Sequence, residues 1–287
     1  MIMKCNVCFH HCNLEEGQYG FCGVRTCADG LIRPDNYGKI TSIALDPIEK
    51  KPLNNFCPGS MILSVGSFGC NLRCPFCQNY EISYDPTAYG YSRNAKYISP
   101  MELAEIAASY KDAGNIGVAF TYNEPLIGYE YVRDTAKIVK EMGMKTVLVS
   151  NGTASVEVLD EILPYIDAMN IDIKAFSDRF YDELVGGNRK MVMDFVEKAA
   201  KSAHVEVTTL IIPWENDDPD EIKALSKWLS SISPEHDADG KGSIPLHITR
   251  FFPRYRMTDR DATEISSILD LCSVAEKNLT YVYAGNI

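Results

Sequence analysis

Six short runs of apolar and β-branched residues punctuate the chain: MILSVG at 61–66, IGVAFT at 116–121, KTVLVS at 145–150, IDAMNIDI at 166–173, HVEVTTLII at 204–212 and IPLHITRF at 244–251. Their length and their content of Val, Ile and Thr predict strands. Between and after them lie stretches of helical apolar spacing, over 100–113, 126–142, 155–164, 189–202, 219–232 and 261–277, the first opened by Ser99-Pro100. Strand followed by helix, six times over, predicts parallel strands with right-handed crossovers. The expected class is α/β, closing into a barrel or spreading as an open sheet. No low-complexity segment or internal repeat breaks this order.

In both arrangements functional residues gather where strands end, in the loops that lead into helices. The polar motifs fall there: GCNLRCPFCQN after the first strand, TYNEP at 121–125, SNG at 150–152, DIK at 172–174 and HITRFFP at 247–253. The first of them spaces three cysteines as Cys70-x3-Cys74-x2-Cys77. Thiolates so spaced can wrap one face of a [4Fe-4S] cluster, and the lack of a local fourth cysteine leaves one iron open to a substrate or cofactor. A structural zinc site would be closed by four ligands.

Composition narrows the setting. A chain of 287 residues has ample length for a full core, and its net charge of −11 without a basic run excludes a nucleic-acid backbone as the main partner. The longest apolar stretches, such as TLIIPW at 209–214, are far short of the roughly 20 residues of a membrane helix. The N-terminus MIMKCNVCFHHC has no signal-peptide core, so no membrane association and a cytoplasmic location are expected. In that compartment ten cysteines point to metal rather than to a disulfide framework.

Five of those cysteines crowd the first 27 residues. Cys5, Cys8, Cys12 and Cys22, with turns at Gly17, Gly20 and Gly23, suit either a closed zinc site or a second iron-sulfur cluster, and the spacing does not choose. His10, His11 and Cys27 are substitute ligands; Cys57 and Cys272 are read as structural. The expected division is a Cys-rich cap over 1–58 and a barrel over 59–287.

The cysteine loop, with aromatic Phe76 before its last cysteine, resembles the signature of the radical SAM enzymes, whose fold is a partial (β/α)6 barrel. The resemblance implies that S-adenosylmethionine (SAM) chelates the open iron and is cleaved by one electron, from a donor such as flavodoxin or ferredoxin, to a 5′-deoxyadenosyl radical. FTYNEP resembles the second-strand motif, usually GGEP, that contacts the methionine amino group, which implies Asn123 and Glu124 as cofactor contacts. SNG and DIK resemble motifs of the activating-enzyme branch, implying Asn151, Asp172 and Lys174, the last pairing with the SAM carboxylate. Glu206 and Thr208 share one strand face, as do His247 and Thr249, with Arg250 on the other face unless the strand is ending. Glu206 could contact the cofactor ribose, bind substrate or pair with a barrel lysine, and His247 could touch SAM or sit satisfied in the core.

Along its length the chain resembles the radical SAM enzyme of the AmmeMemoRadiSam system, a relative of pyruvate formate-lyase activating enzymes. It departs in carrying Phe252 where a His is expected and in stopping at Ile287, where relatives continue into a Cys-containing tail. Three functions follow: an enzyme that cleaves SAM and abstracts hydrogen from an unidentified small-molecule or protein substrate; an activase that installs a glycyl radical on a partner protein; or a non-catalytic electron-transfer or metal-binding scaffold. The placement of Cys5 to Cys22 before the barrel disfavours the second, and the three strand-end motifs disfavour the third.

Overall fold

A computed structural model describes residues 2–84 and 95–287. Its centre is one eight-stranded sheet in which spatial order follows chain order. The strands are β1 (Ser42–Pro47), β2 (Met61–Gly66), β3 (Asn115–Phe120), β4 (Lys145–Ser150), β5 (Ala168–Asp172), β6 (His204–Ile211), β7 (Leu246–Arg250) and β8 (Val282–Gly285). β1 runs antiparallel to β2. Every later neighbour pair is parallel. The six expected strands are β2 to β7, and the sheet gains an edge strand on each side. β1 lies inside the segment 1–58, so that segment supplies part of the main sheet as well as small antiparallel pairs, Met3–Lys4 with Asn13–Leu14 and Arg25–Ala28 with Leu31–Pro34.

The crossover helices are α1 (Pro100–Ser109), α2 (Tyr129–Glu141), α3 (Val156–Ile162), α4 (Arg189–Ala199), α5 (Pro219–Ile232) and α6 (Ile265–Ala275). Local chemistry sets where they begin. Ser99 and Glu102 form a reciprocal capping box at α1, with Pro100 in its first turn. Ser155, Asn188 and Asp218 cap α3, α4 and α5 through their side chains. α2 starts later than its apolar spacing suggests because Pro125–Gly128 forms a 3-10 turn first. None of these helices is long and apolar enough to cross a membrane.

Parallel strands are covered on both faces, which is why they read as continuous apolar runs. The helices cover the outer face, where α2 buries Tyr131, Val132, Thr135, Ala136 and Val139. On the inner face Ala119, Val147 and Ala168 from β3, β4 and β5 join Ile62 of β2 in packing against Ile48 and Leu53. The segment carrying those last two closes the floor of the barrel. Its upper, C-terminal end holds the cavity described next.

Candidate active site

The cysteine loop leaves β2 through Gly69, at φ +89°, where an added Cβ would meet the Cys22 carbonyl oxygen at 2.9 Å and press on Val24 and Ile127. A side chain there would be strained in backbone and in space. Asn123 then clamps the loop: its Nδ2 donates to the carbonyls of Phe68 (3.1 Å) and Gly69 (3.2 Å), while its Oδ1 accepts from Ser67 N (2.9 Å). Fully buried Asn71 donates to Thr153 O (2.7 Å) and accepts from Asn151 Nδ2 (3.0 Å). Arg73 donates to the carbonyls of Cys70 (2.9 Å) and Leu72 (2.8 Å) and lies over the ring of Phe21. The loop is therefore held from three directions before any ligand binds.

Cys70, Cys74 and Cys77 line a cavity of 610 Å³ together with Phe76, Tyr122, Asn123, Glu124, Asn151, Asp172, Lys174 and Thr208. Burial pushes all three thiols up, Cys70 well above its usual value and Cys74 to about 12. Left alone they stay neutral; a positively charged centre would draw them into the thiolate form. Cys70 Sγ already accepts from Leu72 N (3.4 Å) and Asn151 Nδ2 (3.7 Å), bonds that favour a thiolate. Among the described residues no group of three or more His, Cys, Asp or Glu is placed to hold a single metal ion. Three thiols around a roomy, partly polar cavity have the donor chemistry of a [4Fe-4S] cluster with one open iron, and the residues fit that group.

The strand ends supply the rest. At the β3 end Tyr122 adopts φ +73°, which explains why the resembled motif carries glycine there. Its hydroxyl donates to Asp46 (2.9 Å), which also holds Lys51 (3.0 Å). Glu124, 3% exposed, accepts from Ser150 Oγ (2.8 Å), Asn151 N (2.8 Å) and Leu126 N (2.9 Å). A carboxylate has about four acceptor positions, so one remains. Burial lifts Glu124 to about 7, and its hydrogen bonds offset only part of that rise. Asp172 and Lys174 pair at 2.8 Å on the β5 end. Burial opposes the Lys174 charge, but Asp172 and the Cys74 thiol, in its ionised form, outweigh it and hold the ammonium above its usual range.

Glu206 and His247 lie elsewhere. Both point into the barrel as their strand alternation requires, yet neither lines the cavity. Side-chain period two sets the face and not the depth: each sits two residues, roughly 6.6 Å, below the cavity-lining Thr208 and Thr249. The Glu206 carboxylate accepts from Asn54 N (3.0 Å) and Asn55 N (2.7 Å) and meets His204 Nε2 (2.9 Å) and His247 Nε2 (2.6 Å). Its partners among the described residues are thus the floor segment and two histidines, and not a lysine. Sequence reasoning placed Arg250 on the opposite face unless the strand ends; β7 ends there, and Arg250 lines the cavity with Phe252 and Arg254. Asn71, Arg73 and Ser150 are not singled out by the sequence, although all lie in or beside its motifs.

The N-terminal cysteines pack against this loop. Cys5, Cys8 and Cys22 are buried, Cys22 Sγ accepts from Arg25 N (3.3 Å) and Cys12 Sγ from Phe21 N (3.4 Å). Burial raises Cys8 to about 11, with the neighbouring thiols of Cys22 and Cys5 adding to the rise. His10 Nε2 lies 2.9 Å from Asn71 O, tying the segment to the cluster loop. Cys27 meets Glu16, and Cys272 is buried on α6.

Comparison with known proteins agrees with this geometry. Residues 64–229 match the model of the Radical SAM superfamily. An uncharacterized protein of Methanocaldococcus jannaschii is 38% identical over 99% of this chain and 81% of its own length. The pyruvate formate-lyase 1-activating enzyme of Escherichia coli K12 is 26% identical over 56% of this chain, which spans 65% of that enzyme. In fold, QueE from Escherichia coli aligns with a TM-score of 0.51 over 87% of this chain and 93% of its own, at 14% identity. SuiB of Streptococcus suis, solved with S-adenosylmethionine, aligns with a TM-score of 0.56 over 76% of this chain and 48% of its own, at 12% identity. A family match over more than half the chain, carried by the cysteine loop and the parallel strands that position it, shows that this protein belongs to the radical SAM superfamily.

Proposed function

We propose that the protein cleaves SAM reductively and uses the resulting 5′-deoxyadenosyl radical to abstract a hydrogen atom from a substrate. The observation that carries this reading is the convergence of Cys70, Cys74 and Cys77 with the ends of β3, β4 and β5 on one cavity. Held by the three thiolates, a [4Fe-4S] cluster would supply one electron and an open coordination position. The chain's own residues do the positioning. Lys174 would offer an ammonium to the methionine carboxylate, and the remaining acceptor position of Glu124 would be open to an N–H of the methionine amino group. Phe76, Val149, Leu210 and Phe251 line the cavity with apolar surface that excludes water.

The electron donor is proposed to be a flavodoxin or ferredoxin. The N-terminal cysteines are proposed as a further metal site, zinc or a second cluster. A second reading, activation of a glycyl-radical partner protein, is favoured by the similarity to the Escherichia coli activating enzyme. The test is spectroscopic: the reduced, reconstituted protein should show an electron paramagnetic resonance signal that changes on adding SAM. An unchanged signal in a protein with intact cluster would remove SAM from the open iron and overturn the proposal.

A further inference from the structure

The charges lining the cavity do not balance. Its acids are Glu124 and Asp172, and its cations are Lys50, Lys174, Arg250 and Arg254. Glu124 is held by three donors, Asp172 pairs with Lys174, and Lys50 pairs with Asp46 at 3.3 Å. Arg250 uses its Nε on Thr263 O (2.5 Å) and lays its guanidinium over the Phe252 ring at 4.8 Å. Among the described residues neither Arg250 nor Arg254 meets a carboxylate. A chain with a net charge of −11 has acids to spare, so two guanidiniums at one cavity mouth without a carboxylate partner among the described residues are a local arrangement and not a reflection of composition.

Arg254 is also held in place by its backbone. Arg254 and Met257 exchange backbone hydrogen bonds of 3.0 Å, and Arg256 N donates to Pro75 O (2.9 Å) in the cysteine loop. Tyr255 stacks on Tyr80 at 4.2 Å. This turn forms a strap from the end of β7 across to the cluster loop, and it carries Arg254 on the rim. Guanidiniums match oxyanions geometrically, with several N–H groups presented in one plane.

We propose that Arg250 and Arg254 form the substrate-recognition edge of the cavity, and that the substrate carries an oxyanion, a carboxylate or a phosphate, that docks between them. The inference rests on the SAM-cleaving reading above, in which Lys174 is occupied by the methionine carboxylate, which leaves the arginines for a second anion. Phe252, 49% exposed beside Arg250, gives the bound molecule an apolar surface to lie against.

The test uses reconstituted, SAM-loaded protein under anaerobic conditions, titrated separately with inorganic phosphate and with succinate. At least one should bind, and the arm that binds more tightly names the oxyanion. The exposed-turn variant Arg254→Gln and the variant Arg250→Gln should each weaken binding by about tenfold, as expected for loss of a charge-assisted contact. Arg256→Gln, on the same strap but outside the cavity lining, should leave it within about twofold. Binding of neither anion, or equal binding by wild type and Arg254→Gln, overturns the inference. 5′-Deoxyadenosine formation after adding dithionite to the same samples separates the two levels. If it forms while no anion binds, the recognition edge alone is wrong; if it never forms, the SAM-cleaving reading has failed and the binding data still decide whether the arginines take an oxyanion.

Discussion

Replacing Glu206 with Gln removes one charge from the barrel floor while keeping size and shape. The carboxylate is fully buried, and although burial alone would raise it, the hydrogen bonds from His204, His247, Asn55 and Asn54 outweigh that and hold it at about 2 instead of 4.5. At 1.36 kcal/mol for each pH unit, that fall is worth about 3 kcal/mol. Gln mimics the protonated acid and turns one acceptor into a donor facing donors, so Glu206→Gln should cost about 3 kcal/mol at pH 7. With a denaturant slope of about 3 kcal/mol/M, the urea midpoint of the apoprotein should fall by about 1 M. The sign with pH follows from linkage. A carboxyl held low contributes fully above its unfolded value and loses that contribution as pH falls from about 4.5 towards 2. The gap between wild type and variant should therefore be complete at pH 7 and narrow below pH 4.5. SAM cleavage by the folded variant should stay within about twofold, because Glu206 does not line the cavity. An unchanged midpoint, a gap that ignores pH, or lost SAM cleavage at unchanged stability would refute this account of Glu206.

Other consequences concern the cysteine loop. Asn151→Ala removes an N–H donor from Cys70 Sγ. Loss of about 1 kcal/mol of preference for the more negative, reduced state should lower the cluster potential by about 40 mV, read by spectroelectrochemical titration; an unshifted or raised potential contradicts it. Gly69→Ala imposes a left-handed conformation costing about 1–3 kcal/mol, besides the clash with the Cys22 carbonyl, and should reduce iron loading. Full loading of that variant would show the loop to be more pliable than its contacts suggest. In the triple variant of Cys70, Cys74 and Cys77 to Ala, metal analysis reads the N-terminal cysteines by themselves. Stoichiometric zinc supports a closed structural site, iron with sulfide supports a second cluster, and absence of metal removes the proposed site.

What the sequence made legible is what is written locally. β2 to β7 are covered on both sides and so appear as apolar runs. Ser99, Ser155, Asn188 and Asp218 mark helix starts with their own side chains. The three cysteines and the strand-end motifs fall in loops whose position follows from alternation. β1 and β8 were missed because edge strands have mixed polarity, as in SIALDP, whose burial is half-hearted along its length. The depth of Glu206 and His247 was missed because strand periodicity assigns a side and not a layer. The strap that joins Arg256 to Pro75 links residues distant in sequence, and no local pattern announces it. The φ of +73° at Tyr122 was legible only through the resembled motif, whose glycine stands where this chain has a tyrosine.

The central claim is that Cys70, Cys74, Cys77 and the strand-end residues make a site for reductive SAM cleavage. Its most direct test is anaerobic: reconstitute the cluster, add SAM and dithionite, and measure 5′-deoxyadenosine and methionine by mass spectrometry. The account predicts both products in equal amounts, and neither from a Cys74→Ala variant. Absence of 5′-deoxyadenosine from wild-type protein with an intact cluster and bound SAM would contradict it.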